Sequence, residues 1–141
     1  MEIIIQLILA TVLGALIGLE REIKRKEAGL QTYSLVALGT CLFTLISIEL
    51  FNSFLGKTGA SLDLLRIIQA IAIGIGFIGA GVIFRQSSGV IGLTTAAGLW
   101  ATAAIGIAVG VKLYFLAIFT TFLSLFILAG FGLLEEKILK K

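Results

Sequence analysis

The sequence predicts an all-α fold, a polytopic membrane bundle of about five transmembrane helices in a single domain covering residues 1–141. The chain is 59% hydrophobic and only 13% charged, against about 25% charged residues in a typical soluble domain. Its charges fall almost entirely outside five apolar stretches, each long enough to cross a hydrocarbon core of about 30 Å as a helix. The stretches are Ile3–Leu19, Thr32–Ile48, Ile67–Phe84, Gln86–Val111 and Leu113–Leu134.

This composition excludes several classes of function. The net charge of +3 could indicate a nucleic-acid partner, but the basic residues lie at the ends of the apolar stretches, which is typical of membrane topology. The chain has no histidine, the commonest general base and transition-metal ligand. No catalytic constellation is visible. We therefore expect a lipid bilayer as the surroundings, no nucleic acid and no enzymatic activity.

The distribution of Lys and Arg predicts the orientation of the chain. Eight of the 11 basic residues belong to the first and third connections and the C-terminal tail, and three lie on the opposite side. Because basic residues favour the cytoplasmic side, the N-terminus is predicted outside and the C-terminus in the cytoplasm.

The first helix is expected to continue past the bilayer. Glu20 with Lys24, and Glu22 with Lys26, have the acid-first i,i+4 spacing that stabilises a helix. Gly29 is then expected to end it.

The second stretch leads to an outer connection rich in turn residues, namely Asn52, Gly56 and Gly59. Ser61 and Asp63 are predicted to serve as N-cap and first-turn acid of the third helix. Asp63 and Arg66 are three residues apart and are expected to pair.

The third stretch carries small residues on two sides. Small residues let membrane helices approach closely, so this helix is predicted to lie at the centre of the bundle. The same reasoning extends to the fourth stretch, and the predicted helix-packing glycines are Gly74, Gly76, Gly79, Gly81, Gly98 and Gly106. The run Gly74–Gly79 also matches the dinucleotide-binding pattern G-x-G-x-x-G, but no acid follows within the required distance. Helix packing is therefore the better interpretation.

The fourth stretch permits two arrangements, a helix entered by a short loop or a broken segment with a half-helix starting near Thr94. We favour the continuous helix. The fifth stretch carries large side chains such as Phe115, Phe119 and Phe122, so it is predicted to face lipid.

Two readings fit the charged cluster Gly18–Glu22. It is either a solvated helix end with local ion pairs, or a functional site in which Glu20 or Glu22 faces a cavity, anchors to Arg85 or binds a divalent cation. Mg²⁺ prefers carboxylate oxygens and retained water, so Glu20 and Glu22 are the candidate Mg²⁺ ligands. No other cofactor is indicated. Arg85 fits a cation at the membrane surface, and Trp100 fits either an interfacial position or a bundle interior or cavity wall. The candidate functional polar residues are Glu20, Arg21, Glu22, Arg66, Gln69, Arg85, Thr94, Thr95 and Trp100.

Four motifs together resemble the MgtC/SapB family of prokaryotic inner-membrane proteins. They are Gly18–Glu22, Ala28–Thr32, Gly74–Ile83 and Gly92–Ala97 with Trp100. The resemblance implies a multi-pass protein of the cytoplasmic membrane with a role in adaptation to low magnesium. Gln31 and Tyr33 stand where the family often has arginine and histidine, so any function of that charge or imidazole is in doubt.

Two functions follow from the resemblance and the residues. The first is a regulator that binds another membrane complex; the alternative is a Mg²⁺ or other cation transporter or channel with a site near Glu20, Glu22 and Arg85. Because five short helices enclose little volume, we also expect a homo-oligomer.

Overall fold

The computed structural model describes residues 1–55, 63–87 and 89–138. Gly56, Gly59 and Ser61, for which turn and capping roles are predicted, lie outside these ranges. The elements are α1 (Glu2–Ile23), α2 (Leu30–Phe54), α3 (Leu64–Gly81), β1 (Phe84–Gln86), β2 (Gly89–Ile91), α4 (Leu93–Gly110), α5 (Tyr114–Leu125), a π-helical stretch (Phe126–Phe131) and α6 (Gly132–Ile138).

The predicted all-α membrane bundle is confirmed. Within the described ranges, four helices are long and apolar enough to cross a membrane: α1, α2, α4 and the segment Tyr114–Leu134, which runs through α5 and the π-helical stretch. The helix α3 is also apolar over Leu65–Gly81. At its N-terminus Asp63 is itself the N-cap, accepting a hydrogen bond from the Leu65 amide at 3.0 Å. The Asp63–Arg66 pair forms as predicted, with an N–O distance of 3.7 Å.

The centre of the bundle is α4, and the prediction that α3 occupies it is wrong. The α4 helix packs against α1, α2, α3 and α5, and its buried residues include Thr102, Ile105 and Val109. Among the described side chains of α3, only Ile75 and Gly79 are buried. Small residues permit a close neighbour but do not require one, and most of the described residues of α3 are exposed.

Three of the six predicted helix-packing glycines have close neighbours on other helices, and three do not. Gly79 packs against Ala96, Gly98 against Tyr33, and Gly106 against Thr40 and Ala37, as their predicted role requires. A Cβ added at Gly74, Gly76 or Gly81 would meet no atom within 4 Å. For these three glycines the predicted packing role within the chain is wrong.

Two glycines of α1 make a close contact with α2. A Cβ on Gly14 would lie 2.6 Å from the Tyr33 carbonyl oxygen, and one on Gly18 would lie 2.8 Å from the Cα of Leu30. Because only hydrogen fits at these positions, α1 and α2 approach backbone to backbone.

A short antiparallel hairpin, β1–β2, separates α3 from α4, with Arg85 opposite Val90. It includes Phe84 and Gln86, which the sequence assigns to the third and fourth apolar stretches. The favoured continuous fourth helix is confirmed from Leu93 to Gly110. It starts later than predicted because Gly92 adopts a left-handed conformation, with φ of +86°, at the N-cap.

The last apolar helix exposes its aromatic side chains, as predicted. Phe115, Phe119, Phe122 and Phe126 are all more than half exposed. Such a surface suits hydrocarbon surroundings.

Candidate functional site

The charged residues that follow α1 are held in a fixed turn rather than a longer helix. The helix ends at Ile23, and Arg25 has a positive φ of 51°. Glu22 accepts a hydrogen bond from the Leu30 amide at 3.0 Å. The predicted Glu22–Lys26 pair is therefore wrong, because the chain has already turned toward α2 and Glu22 is used at the start of that helix.

Arg21 is the centre of a buried polar cluster. Its side chain is only 4% exposed, although it carries a full charge. One guanidinium nitrogen, Nη2, donates to the Thr95 hydroxyl at 3.0 Å. The same hydroxyl donates to the Glu27 carboxylate at 2.6 Å. Thr95 thus connects an arginine of α1 with an acid of the following connection.

Tyr33 completes the cluster from α2. It is fully buried, and its hydroxyl donates to the Thr95 carbonyl at 3.2 Å. Gly98 leaves room for this hydroxyl, because an added Cβ would lie 2.5 Å from the Tyr33 oxygen. Tyr33 therefore has a defined structural partner on α4.

Glu20 forms ion pairs with Lys24 and with Arg21. One of its carboxylate oxygens lies 2.9 Å from Lys24 Nζ, as the i,i+4 spacing predicts, and the other lies 3.8 Å from Arg21. Both oxygens are shielded from solvent and have no further partner among the described residues. Lys24 also donates to the Leu128 carbonyl in the π-helical stretch at 3.0 Å, which ties the first connection to the last long helix.

The surroundings of Glu27 lower the pKa of its carboxyl group. The hydrogen bond from Thr95 is the main cause that lowers its pKa, with smaller contributions from Lys26 and Arg21. A carboxylate that accepts hydrogen bonds is stabilised in its charged form, so Glu27 is ionised at neutral pH.

These contacts bear on the predicted Mg²⁺ site at Glu20 and Glu22. The two carboxylates have separate partners, Lys24 for one and the Leu30 amide for the other. No group of three or more His, Cys, Asp or Glu side chains occurs in the part of the chain that the structure describes. The buried Arg21 charge beside Glu20 opposes the approach of a cation.

The predicted polar residues do not form one cluster. Glu20, Arg21 and Thr95 come together, with Thr94 in the wall of the adjoining pocket. Glu22 is exposed and bonds the Leu30 amide instead. Gln69 is exposed on α3, and Arg66 is exposed at the helix end opposite to Arg85 of β1. Trp100 is 56% exposed on α4, which excludes the bundle interior.

Sequence reasoning missed four residues. The sequence indicates only a local ion pair for Lys24 and no role for Glu27. It marks Tyr33 only as a departure from a family pattern. The fourth, Gln6, is buried and donates to the Val109 and Gly110 carbonyls at 2.9 and 3.1 Å. A lone glutamine in an apolar helix is a usable signal for such a bond.

A pocket of about 280 Å³ opens beside this cluster, between the first connection and the start of α4. Its lining residues are Arg21, Lys26, Glu27, Val90, Ile91, Gly92, Leu93, Thr94 and Thr95.

Comparison with known proteins finds one matching family model and several similar proteins. Residues 7–137 match the model of the MgtC family. The "Putative magnesium transporter YhiD" of Escherichia coli K12 is 40% identical over 140 residues, which cover 99% of this chain and 65% of that protein. Protein SapB of Bacillus subtilis is 44% identical over 80% of this chain and 49% of its own length. Protein MgtC of Salmonella typhimurium LT2 is 44% identical over 76% of this chain and 42% of its own length.

The chain therefore spans less than two thirds of the length of these three relatives. No solved structure matches it. The family match covers nearly all of the chain and agrees with the four sequence motifs and the apolar helices. The chain belongs to the MgtC family and is a membrane protein.

Proposed function

We propose that this protein is a regulator that acts in adaptation to low magnesium by binding a transmembrane helix of another complex in the prokaryotic cytoplasmic membrane. The observation that carries the proposal is the uncovered face between α2 and α3. There Gly39 and Gly74 have no atom within 4 Å of an added Cβ, as is also true of Gly76 and Gly81 on α3.

This face is shaped to receive a helix. It includes a groove of about 430 Å³ whose walls are Thr40 and Phe43 of α2 and the α3 residues from Arg66 to Ile78. A neighbouring cavity of about 380 Å³ adds Thr32, Leu35, Val36 and Gly39 of α2. Glycine on both walls lets a partner backbone approach closely, and close approach is the main source of affinity between helices in lipid.

The charged cluster supports a regulator over a carrier. Each of its acids already has a partner: Glu20 has Lys24, Glu22 has the Leu30 amide, and Glu27 has Thr95. A cation pathway at this end of the bundle would have to pass the buried Arg21 guanidinium. Magnesium enters the proposal through the names of the relatives.

Photocrosslinking in native membranes tests the docking face. Ile78 lines the groove and is 45% exposed. Leu123 of α5 is also 45% exposed but does not line the groove, so it provides the matched control. A photoreactive residue that replaces Ile78 should give one reproducible crosslinked membrane protein, and the replacement at Leu123 should not. Equal crosslinking from both positions, or none from Ile78, would refute the docking face.

Cation transport is the second candidate, favoured by the name of the Escherichia coli relative and by the shielded carboxylate of Glu20. In this case the Lys24–Glu20 pair would have to open to admit Mg²⁺. Purified protein in liposomes should then carry Mg²⁺, and Glu20→Gln should abolish the flux, with the exposed Glu49→Gln as control. The same flux for Glu20→Gln and the unaltered protein would exclude the site.

A further inference from the structure

The pocket at the start of α4 combines positive groups from two parts of the chain. Arg21 comes from α1 and Lys26 from the connection that follows it, and both line the pocket opposite residues 90–95. Glu27 is the one carboxylate in the lining. Two cations and one carboxylate therefore leave the lining with one net positive charge.

The end of α4 adds a second positive contribution. The first amides of a helix have no intrahelical acceptor, and the aligned peptide dipoles place about half a positive charge there. In this chain no side chain caps the α4 N-terminus. Gly92 is necessary to this arrangement because its φ is +86° and an added Cβ would collide with the Val82 carbonyl.

The buried guanidinium supplies evidence that does not depend on the helix end. Arg21 is 3% exposed, and its Nε has no acceptor among the described residues. Buried donors are almost always paired, and a guanidinium is well suited to bind two oxygens of one anion. Arg21 therefore has donor capacity that the chain itself does not use.

Glu27 indicates which chemical group the pocket accepts. Its carboxylate reaches Thr95 in the first turn of α4 at 2.6 Å, although the side chain is otherwise exposed. A negatively charged oxygen already lies where the helix end and the two cations favour it. A ligand with more oxygens and more charge would make the same contacts and replace it.

We propose that this pocket binds a phosphate group, carried by free phosphate or by a phospholipid headgroup, in exchange with the Glu27 carboxylate. Arg21 and Lys26 supply side-chain donors, and the first turn of α4 supplies amides, as at other helix N-termini that bind phosphate. Exposed Val90 and Leu93 on the pocket wall leave room for the apolar part of a lipid. The site does not depend on the proposed docking of a partner complex.

The test uses the purified full chain in nanodiscs. One arm titrates it with inorganic phosphate by calorimetry in nanodiscs of phosphatidylcholine alone. The other uses nanodiscs of mixed phosphatidylglycerol and phosphatidylcholine and counts the two bound lipids by native mass spectrometry. Lys26→Gln should weaken binding about fivefold, the effect of one cation near a phosphate surface. Arg25→Gln is the matched control, because Arg25 is exposed and does not line the pocket. Glu27→Gln should strengthen binding, because it removes the competing charge.

Each result has a defined meaning. Saturable binding in either arm, weakened by Lys26→Gln and strengthened by Glu27→Gln, supports the site, and the arm that responds identifies the source of the phosphate. Equal losses from Lys26→Gln and Arg25→Gln would show general surface attraction and overturn the proposal. A Glu27→Gln variant that folds with unchanged helicity and thermal midpoint but binds no more tightly would overturn the exchange. Absence of saturable binding in both arms would also overturn it.

Discussion

The tight contact between α1 and α2 predicts opposite effects for the same substitution at two glycines. In Gly14→Ala the new methyl group would lie 2.6 Å from the Tyr33 carbonyl oxygen and 2.7 Å from the Ala37 Cβ. The first obstacle is backbone, which cannot rotate away, so the two helices must separate. Overpacking of this kind costs about 1–3 kcal/mol.

Gly74→Ala provides the matched control on α3. Nothing lies within 4 Å of its added Cβ, and alanine in a helix is more stable than glycine by about 0.5–1 kcal/mol. The two variants should therefore differ by about 1.5–4 kcal/mol, with opposite signs relative to the parent chain. The loss of helical circular dichroism in mixed micelles of mild and denaturing detergent measures both.

A companion variant isolates the cause. Adding Ala37→Gly to Gly14→Ala removes the methyl obstacle and leaves the Tyr33 carbonyl in place, so stability should recover only in part. If Gly14→Ala and Gly74→Ala change stability equally, or if Ala37→Gly restores it fully, backbone contact between α1 and α2 is not what holds this pair of helices.

Three further predictions concern single side chains. Gln6→Leu should destabilise the bundle by about 1–3 kcal/mol because two terminal carbonyls of α4 lose the Gln6 amide as a donor, and of the two Val109 keeps the Lys112 amide. Gln69→Leu on the exposed side of α3 should cost much less, and equal losses in detergent unfolding would contradict this. The hydrogen bond from the Thr95 hydroxyl lowers the pKa of Glu27 in the folded protein. The ionised Glu27 carboxylate therefore stabilises the fold fully above the ordinary carboxyl pKa. This stabilisation is lost as the pH falls through the lowered pKa of the folded state. Glu27→Gln should therefore flatten the dependence of the thermal midpoint on acid pH, and an unchanged profile would argue against the contact. Trp100, the single tryptophan, is exposed, so brominated lipid tails should quench its fluorescence strongly; weak quenching would mean that another chain covers it.

The helices were predictable because hydropathy over about 20 residues is a strong signal of a membrane span. The hairpin between α3 and α4 was not predictable, because its residues Phe84 and Ile91 are as apolar as the residues of those helices. Only the left-handed Gly92 fixes where α4 begins, and a glycine in sequence does not reveal its φ. The position of α3 failed for a related reason, because small residues permit packing without determining which face is packed.

The candidate site was predictable only in its local part. The Glu20–Lys24 pair follows from i,i+4 spacing within one helix. The bond from Arg21 to Thr95 joins residues 74 positions apart, and no periodicity within a single helix encodes it. The hydrogen bond of Tyr33 was unpredictable for the same reason, because its hydroxyl reaches the Thr95 carbonyl only when α2 and α4 pack together.

The bonds of the first connection have a consequence for biogenesis. Arg21 is paired with Thr95, 74 residues later, and Lys24 with Leu128, 104 residues later. While the ribosome is still making the second half of the chain, these two cations lack their final acceptors. The polar cluster can therefore form only after the fourth and fifth helices have been released into the bilayer, which makes it one of the last parts of the molecule to assemble.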